Sequence, residues 1–293
     1  MKIGLIDVDG HHFPNLALMK LSAWHKAQGD DVEMVFPMGE YDRVYMSKVF
    51  DFTPDFTTCI NAGEIIKGGT GYDMSVKLPD GVESMYPDYS LYGITDTAYG
   101  YLTRGCPRGC PFCIVSGKEG RKSVKVADLD GFWRGQEEIK LLDPNLLACR
   151  EHMDLLKQLD DSGAWIDITQ GFDVRLLTDD NIRLVNRMKI KEIHFAWDQE
   201  KDSERIIQGL KFYASHCIRK PHGYYASVYV LTNFNTSFEF DLYRVYKLRE
   251  MQFDPFVMIY DKEHAPKRIK RLQRWVNNKF IWRSCEKFED YKG

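Results

Sequence analysis

Three cysteines in the run Gly105-Cys106-Pro107-Arg108-Gly109-Cys110-Pro111-Phe112-Cys113 constrain this chain more than any other feature. The spacing Cys-x3-Cys-x2-Cys presents three thiolates from one short loop and withholds a fourth. Thiolates favour iron-sulfur clusters or zinc, and a structural zinc site needs a fourth protein ligand close by. None is near along the chain: the next cysteine is Cys149, and the loop holds no histidine. A 4Fe-4S cluster with one iron left open uses both the spacing and the gap. Zinc and inert core thiols are the alternatives that spacing alone leaves.

At 293 residues the chain is long enough for one large domain, or for a small domain followed by a medium one. Its 44% hydrophobic and 28% charged residues describe an ordinary soluble globular protein. No apolar run approaches the ~20 residues of a membrane span, which predicts no membrane partner. The opening Met1-Lys2-Ile3-Gly4-Leu5-Ile6-Asp7 turns acidic too soon for a secretory signal, so a cytoplasmic location is expected. Seven cysteines, an odd number, suit a reducing compartment better than a disulfide framework. A net charge of -3 argues against a wholesale basic nucleic-acid binder and leaves local basic surfaces open.

The pattern is α/β throughout. Lys2 to Asp7 reads as a strand, Asn15 to Gln28 as a helix ended by Gly29, and Val32 to Phe36 as a second strand. This βαβ opening implies a parallel sheet. Another strand leads into the glycine turn Lys67-Gly68-Gly69-Thr70-Gly71-Tyr72, and Pro79 to Tyr92 reads as an extended linker. Strands are then expected over Ala98 to Thr103, Glu138 to Leu142, Trp165 to Thr169, Glu192 to Ala196, Tyr225 to Leu231 and Phe256 to Ile259. Helices are expected between and after them, over Leu146 to Leu159, Asp179 to Met188, Ser203 to Ser215, Phe238 to Met251 and Pro266 to Val276. Alternation alone allows either a partial barrel or an open doubly wound sheet. In both, the reacting end is the carboxyl end of the strands.

The triad, with the aromatic Phe112 just before its third cysteine and the wording Arg-Gly-Cys-Pro-x-x-Cys-Pro-Phe-Cys, resembles the radical S-adenosylmethionine superfamily. The resemblance implies a small Rossmann-like domain over residues 1–91, similar to a degenerate cobalamin-binding module. It further implies a radical S-adenosylmethionine core over residues 92–293, a partial (β/α)6 TIM-type barrel with a carboxyl-terminal extension. It implies that Cys106, Cys110 and Cys113 hold a 4Fe-4S cluster whose open iron is chelated by S-adenosylmethionine. The reductive cleavage of that cofactor to a 5'-deoxyadenosyl radical then activates a substrate that no residue identifies. A flavodoxin- or ferredoxin-type electron donor is implied with it.

Contacts to the cofactor follow from the same resemblance. Phe112 belongs to the cluster loop. Leu142-Asp143-Pro144-Asn145 stands where many members carry Gly-Gly-Glu, which makes Asp143 the candidate acceptor for the cofactor's ammonium; helix capping by Asp143 and Asn145 is the alternative. In Thr169-Gln170-Gly171-Phe172-Asp173-Val174-Arg175, the glycine lets polar groups such as Gln170 approach a ligand, and Arg175 suits the methionyl carboxylate. A pair between Arg175 and Asp173 or Asp179 is the other reading. Asp198 is the candidate for the ribose, with helix capping as its alternative, and Leu231 to Asn235 resembles the adenine-side segment.

Asp9-Gly10-His11-His12-Phe13-Pro14 stands where cobalamin modules carry Asp-x-His-x-x-Gly, but Pro14 replaces the glycine, and about ninety residues are few for that fold. A structural relic is therefore expected rather than bound cobalamin, and a cobalamin-dependent radical methyltransferase is the runner-up. Cys59, Cys149, Cys217 and Cys285 are scattered and read as independent buried thiols. Basic residues gather at Lys118, Arg121, Lys122 and Lys125 and again at Lys267, Lys270, Arg271 and Arg274. The first group suits a phosphate-bearing substrate or an acidic electron carrier, and charge leaves nucleic acid open. Phe280-Ile281-Trp282 and Phe288-Glu289-Asp290-Tyr291 are expected to close the barrel. A non-catalytic iron-sulfur or zinc interaction module is the reading from a different class.

Overall fold

The computed structural model describes residues 1–10, 13–218, 220 and 223–293. The chain forms two compact units, Met1–Gly100 with Leu129–Glu137, and Tyr101–Asp128 with Glu138–Gly293. The first unit thus runs past the expected boundary at residue 91 and takes in a later excursion.

In the first unit, β1 (Lys2–Asp7), α1 (Leu16–Ala27) and β2 (Asp31–Met34) form the expected βαβ opening, followed by β3 (Glu40–Ser47) and β4 (Asn61–Gly68). The sheet order is β2-β1-β3-β4, and every pairing is parallel. Helix α1 starts where the Asn15 side chain accepts from Leu18 N–H, and it buries Leu18 and Leu21 against Ile3 and Leu5. Residues 35–39 and 48–60 carry the chain between parallel strands without a helix, so only one crossover has the full βαβ form.

Pro79 to Tyr92 is not an extended linker. It forms the short helix α2 (Asp80–Glu83) and a 3-10 turn over Tyr89–Tyr92, with Val82 packed among Ile3, Leu5, Leu18 and Leu21. The buried Tyr89 hydroxyl donates to Phe132 O at 2.7 Å and accepts from Tyr99 N–H at 2.9 Å. Isolated apolar residues among prolines set no periodicity, which is why the pattern concealed them. Strand β5 (Thr97–Gly100) also belongs to this unit.

The second unit opens with β6 (Thr103–Arg104), which pairs antiparallel with β7 (Val124–Lys125) and so clasps the cysteine loop and the short α3 (Val115–Lys118). The expected strand over Ala98 to Thr103 is thus split between β5 and β6. A βα rhythm then follows through β8 (Glu138–Leu141), α4 (His152–Ser162), β9 (Trp165–Ile168), α5 (Asp179–Arg187) and β10 (Lys189–Ala196). It continues through α6 (Ser203–His216), β11 (Ser227–Thr232), α7 (Phe238–Glu250), β12 (Asp254–Ile259), α8 (Lys267–Asn277) and α9 (Lys279–Ser284). The helix expected over Leu146 to Leu159 is broken, because Cys149 is extended and ends a 3-10 turn before α4 begins.

Strands β8 to β12 lie side by side in chain order, all parallel. Their side chains alternate between two faces. Ile139, Ile166, Ile193, Phe195, Val228, Val230 and Val257 are fully buried or nearly so on one face. The opposite face carries Lys140, Asp167, Glu192, His194 and Tyr229, an alternation typical of a half-polar sheet. The carboxyl-terminal aromatics are core residues: Trp282, Phe288 and Tyr291 pack with Val245, Val257, Leu272, Trp275 and Val276, whereas Phe280 is 89% exposed. Among the described residues no helix is long and apolar enough to cross a membrane.

Candidate metal centre

Glycines turn the cysteine loop as it leaves β6. Gly105 has φ +84° and Gly109 φ +57°, and a Cβ on Gly105 would collide with the carbonyl oxygen of Lys122. Glu119 braces the entry, accepting from Gly105 N–H at 3.1 Å and pairing with Arg104 at 3.2 Å. Cys106 N–H donates to Gly120 O and Cys113 N–H to Cys110 O, at 3.2 and 3.0 Å. All three cysteines are half-buried. Burial, with the Asp198 carboxylate and the neighbouring cysteines adding, pushes the Cys110 thiol up to about 11. Burial raises Cys113 as well. A metal that binds these thiols has to displace their protons.

The loop lies across the carboxyl ends of four consecutive strands and meets them in order. Thr103 donates to Asp143 after β8, through N–H at 2.5 Å and Oγ1 at 2.6 Å. Cys106 Sγ accepts from Asn145 Nδ2 at 3.6 Å, also after β8. Arg108 Nε donates to Asp173 after β9. Asp198 after β10 is close enough to bear on the Cys110 thiol. Phe112 meets Phe234 after β11 edge to face, with ring centroids 5.5 Å apart. Phe234 in turn meets Tyr260 at 4.7 Å, so an aromatic arc borders the loop.

Asp143 has partners other than those expected of it. Its two oxygens accept from Leu102 N–H at 3.1 Å and from Thr103, so the buried carboxylate ties down the strand that delivers the cysteines. Burial outweighs these donors and raises its pKa from 3.8 to about 6. The folded chain therefore holds an extra proton between the two values. This contribution to stability is fully present below the unfolded pKa and is lost as pH rises through the folded one. The unfolding free energy of the wild type should fall relative to Asp143→Asn between about pH 4 and about pH 7 in urea titrations. A difference independent of pH would refute this.

Asn145 is placed at a helix start without capping it, and its side chain turns instead to Cys106 and, at 3.4 Å, to Asp173. Asp173 is the junction: beside the expected pair with Arg175, whose Nε lies 2.7 Å away, it also takes Arg108 of the loop, a link that no local pattern marks. Burial alone would raise the Asp173 carboxyl, but Arg175 and Arg108 hold it below its ordinary range. Arg175 also pairs with Asp202 at 3.2 Å, not with Asp179. The alternative expected for Arg175, a pair with Asp173, therefore forms, and it is largely buried. Gln170 is exposed in the turn after β9. At Gly171, φ is +95° and a Cβ would press on His194 O.

Asp198 does not cap a helix. Its Oδ1 accepts from Leu231 N–H at 3.1 Å, and among the described residues no donor meets Oδ2. Burial raises its pKa. Behind it the fully buried Arg244 pairs with Asp241 and donates to the carbonyls of Trp197 and Leu231, fastening the ends of β10 and β11 together.

In the first unit Asp9 accepts from Val49 N–H at 2.5 Å, Phe50 N–H at 3.3 Å and Thr53 Oγ1 at 2.7 Å, which explains it as a loop anchor. Gly69, at φ +93°, has no room for a Cβ against Lys48 O. His11 and His12 lie outside the described residues. Of the cysteines elsewhere only Cys149 is buried; Cys59 is exposed, and Cys217 and Cys285 are half-buried. Among the basic residues, Arg121 lies against the Gly109 turn, Lys125 pairs with Asp128, and Arg271 covers the Phe288 and Tyr291 rings.

No family model matches the chain, and no curated protein matches it in sequence.

Proposed function

We propose that this chain is a radical S-adenosylmethionine enzyme with a Rossmann-like amino-terminal domain and a partial (β/α)6 barrel over residues 92–293. One observation carries the reading: a loop with three thiols, and no fourth, spans the carboxyl ends of four consecutive parallel strands. One contact supports metal-bound thiolates. The Asn145 N–H aimed at Cys106 suits a thiolate ligand.

When bound, the cluster with its open iron supplies the electron that cleaves S-adenosylmethionine to a 5'-deoxyadenosyl radical. The chain's own residues position and shield that chemistry. Asp173, Asp143 and Asn145 hold the loop in place. Asp198 offers Oδ2 as an acceptor for a ribose hydroxyl. Phe112, Phe234 and Tyr260 form an apolar wall suited to a purine face. Arg121 and Lys122 are suited to an acidic flavodoxin- or ferredoxin-type donor. Cobalamin stays outside the reading because Asp9 already anchors a loop.

The test is anaerobic reconstitution with iron and sulfide, followed by S-adenosylmethionine and dithionite. Brown protein that releases 5'-deoxyadenosine is the expected result. Colour without cleavage would leave an iron-sulfur binding module, and one zinc bound without sulfide would leave a structural one.

A further inference from the structure

On the polar face of the second unit's sheet, away from the cysteine loop in sequence, Asp167, Glu192 and His194 bring ligand atoms within 4.8 Å of one another. A backbone irregularity creates this trio. Between β9 and β10, Ile190 faces Ile166 but Glu192 faces Asp167, so the strand carries one extra residue there. In an unbroken register Lys191 would face Asp167, and Glu192 and His194 would turn to the other face. Bulges of this kind re-aim side chains at functional sites.

Two polar atoms in the trio point to a missing partner. Asp167 is 5% exposed, and its Oδ1 is buried without a hydrogen bond. His194 Nδ1 is likewise buried and unpaired, while its ring stacks on Tyr229 at 4.9 Å. Leaving such buried atoms unmet is unfavourable, and a bound cation would relieve it. The neighbouring charges do not meet the need. Lys140 takes the other Asp167 oxygen at 3.0 Å, and Lys191 pairs with Glu138 at 2.5 Å. The carboxylates of Glu138, Asp167 and Glu192 then outnumber the two ammonium groups by one.

We propose that Asp167, Glu192 and His194 form a binding site for a divalent first-row transition metal, held by two carboxylate oxygens and one imidazole nitrogen. The mixed nitrogen and oxygen donors favour manganese, iron, cobalt or zinc over magnesium or calcium. Three protein ligands leave at least one position open, the arrangement of a site that takes a substrate oxygen rather than a purely structural one. The site is independent of the cysteine loop and of any reaction there.

Manganese is the probe, because it prefers oxygen and nitrogen to thiolate. Loss of the aqueous Mn2+ electron paramagnetic resonance signal, titrated with the full chain, should show one equivalent bound. Asp167→Asn and His194→Gln should weaken binding at least about tenfold. Glu192→Gln, at a side chain 54% exposed and so without risk to folding, should weaken it as well. A chain with all three loop cysteines changed to alanine should bind as the wild type does. No uptake below millimolar Mn2+, unchanged affinity in Glu192→Gln, or loss of uptake in the cysteine variant would overturn the proposal.

Discussion

Alanine in place of Cys106, Cys110 or Cys113, one at a time, should abolish the thiolate-to-iron absorption and the release of 5'-deoxyadenosine together. The three thiols flank two successive turns of one loop, and Gly105 and Gly109 give that loop a backbone course that other residues resist. The remaining thiols cannot shift to cover a lost one, because Thr103, Arg108 and Phe112 fasten the loop at three different strand ends. The matched controls are Cys59→Ser and Cys285→Ser, outside the loop, which should keep wild-type iron and sulfide content. Full cluster content in any single variant of the triad would show that the three do not act as one ligand set.

Replacing Arg244 by Met should destabilise the second unit by about 3 to 5 kcal/mol, the usual cost of breaking one side of a buried ion pair. Arg244 and Asp241 are both fully buried, 2.5 Å apart, and burial lowers the pKa of the guanidinium while raising that of the carboxyl. Their surroundings leave no slack, since Arg244 Nε and Asp241 Oδ2 already lack partners. Without the guanidinium, Asp241 is a buried charge with no counterion, and the carbonyls of Trp197 and Leu231 lose a donor. Urea unfolding followed by tryptophan fluorescence measures the loss. The double variant Arg244→Met, Asp241→Leu should recover a large part of it, because an apolar pair of similar volume often replaces a buried ion pair at little cost. A single-variant loss below about 1 kcal/mol would mean that water reaches this pair.

The features legible in the sequence were those written in neighbouring residues. The triad is one, and the alternation from β8 to α8 is another, with strand and helix ends close to the pattern apart from the broken start of α4. What escaped depends on partners far apart in the chain. Asp173 meets Arg108 across 65 positions and Asp143 meets Thr103 across 40, and no local signal marks either pair. Asp143 was legible as a carboxylate at a strand end but not as the anchor of the strand before it. Phe234 stood in a segment singled out for adenine, yet its contact with Phe112 could not be read from spacing. Val82 and Tyr89 were hidden by the prolines around them.

The extra residue in β10 makes the polar face of the sheet sensitive to length rather than to chemistry. Insertion of a single residue after Glu192 would bring Ile193 and Phe195 round to the side now held by His194 and drive His194 into the packed layer, whereas loss of Lys191 would leave Glu192 opposite Asp167 in regular alternation. Such an insertion would therefore do more harm than most substitutions at the same place. Insertions and deletions along β10 report on the site's architecture in a way that point variants do not.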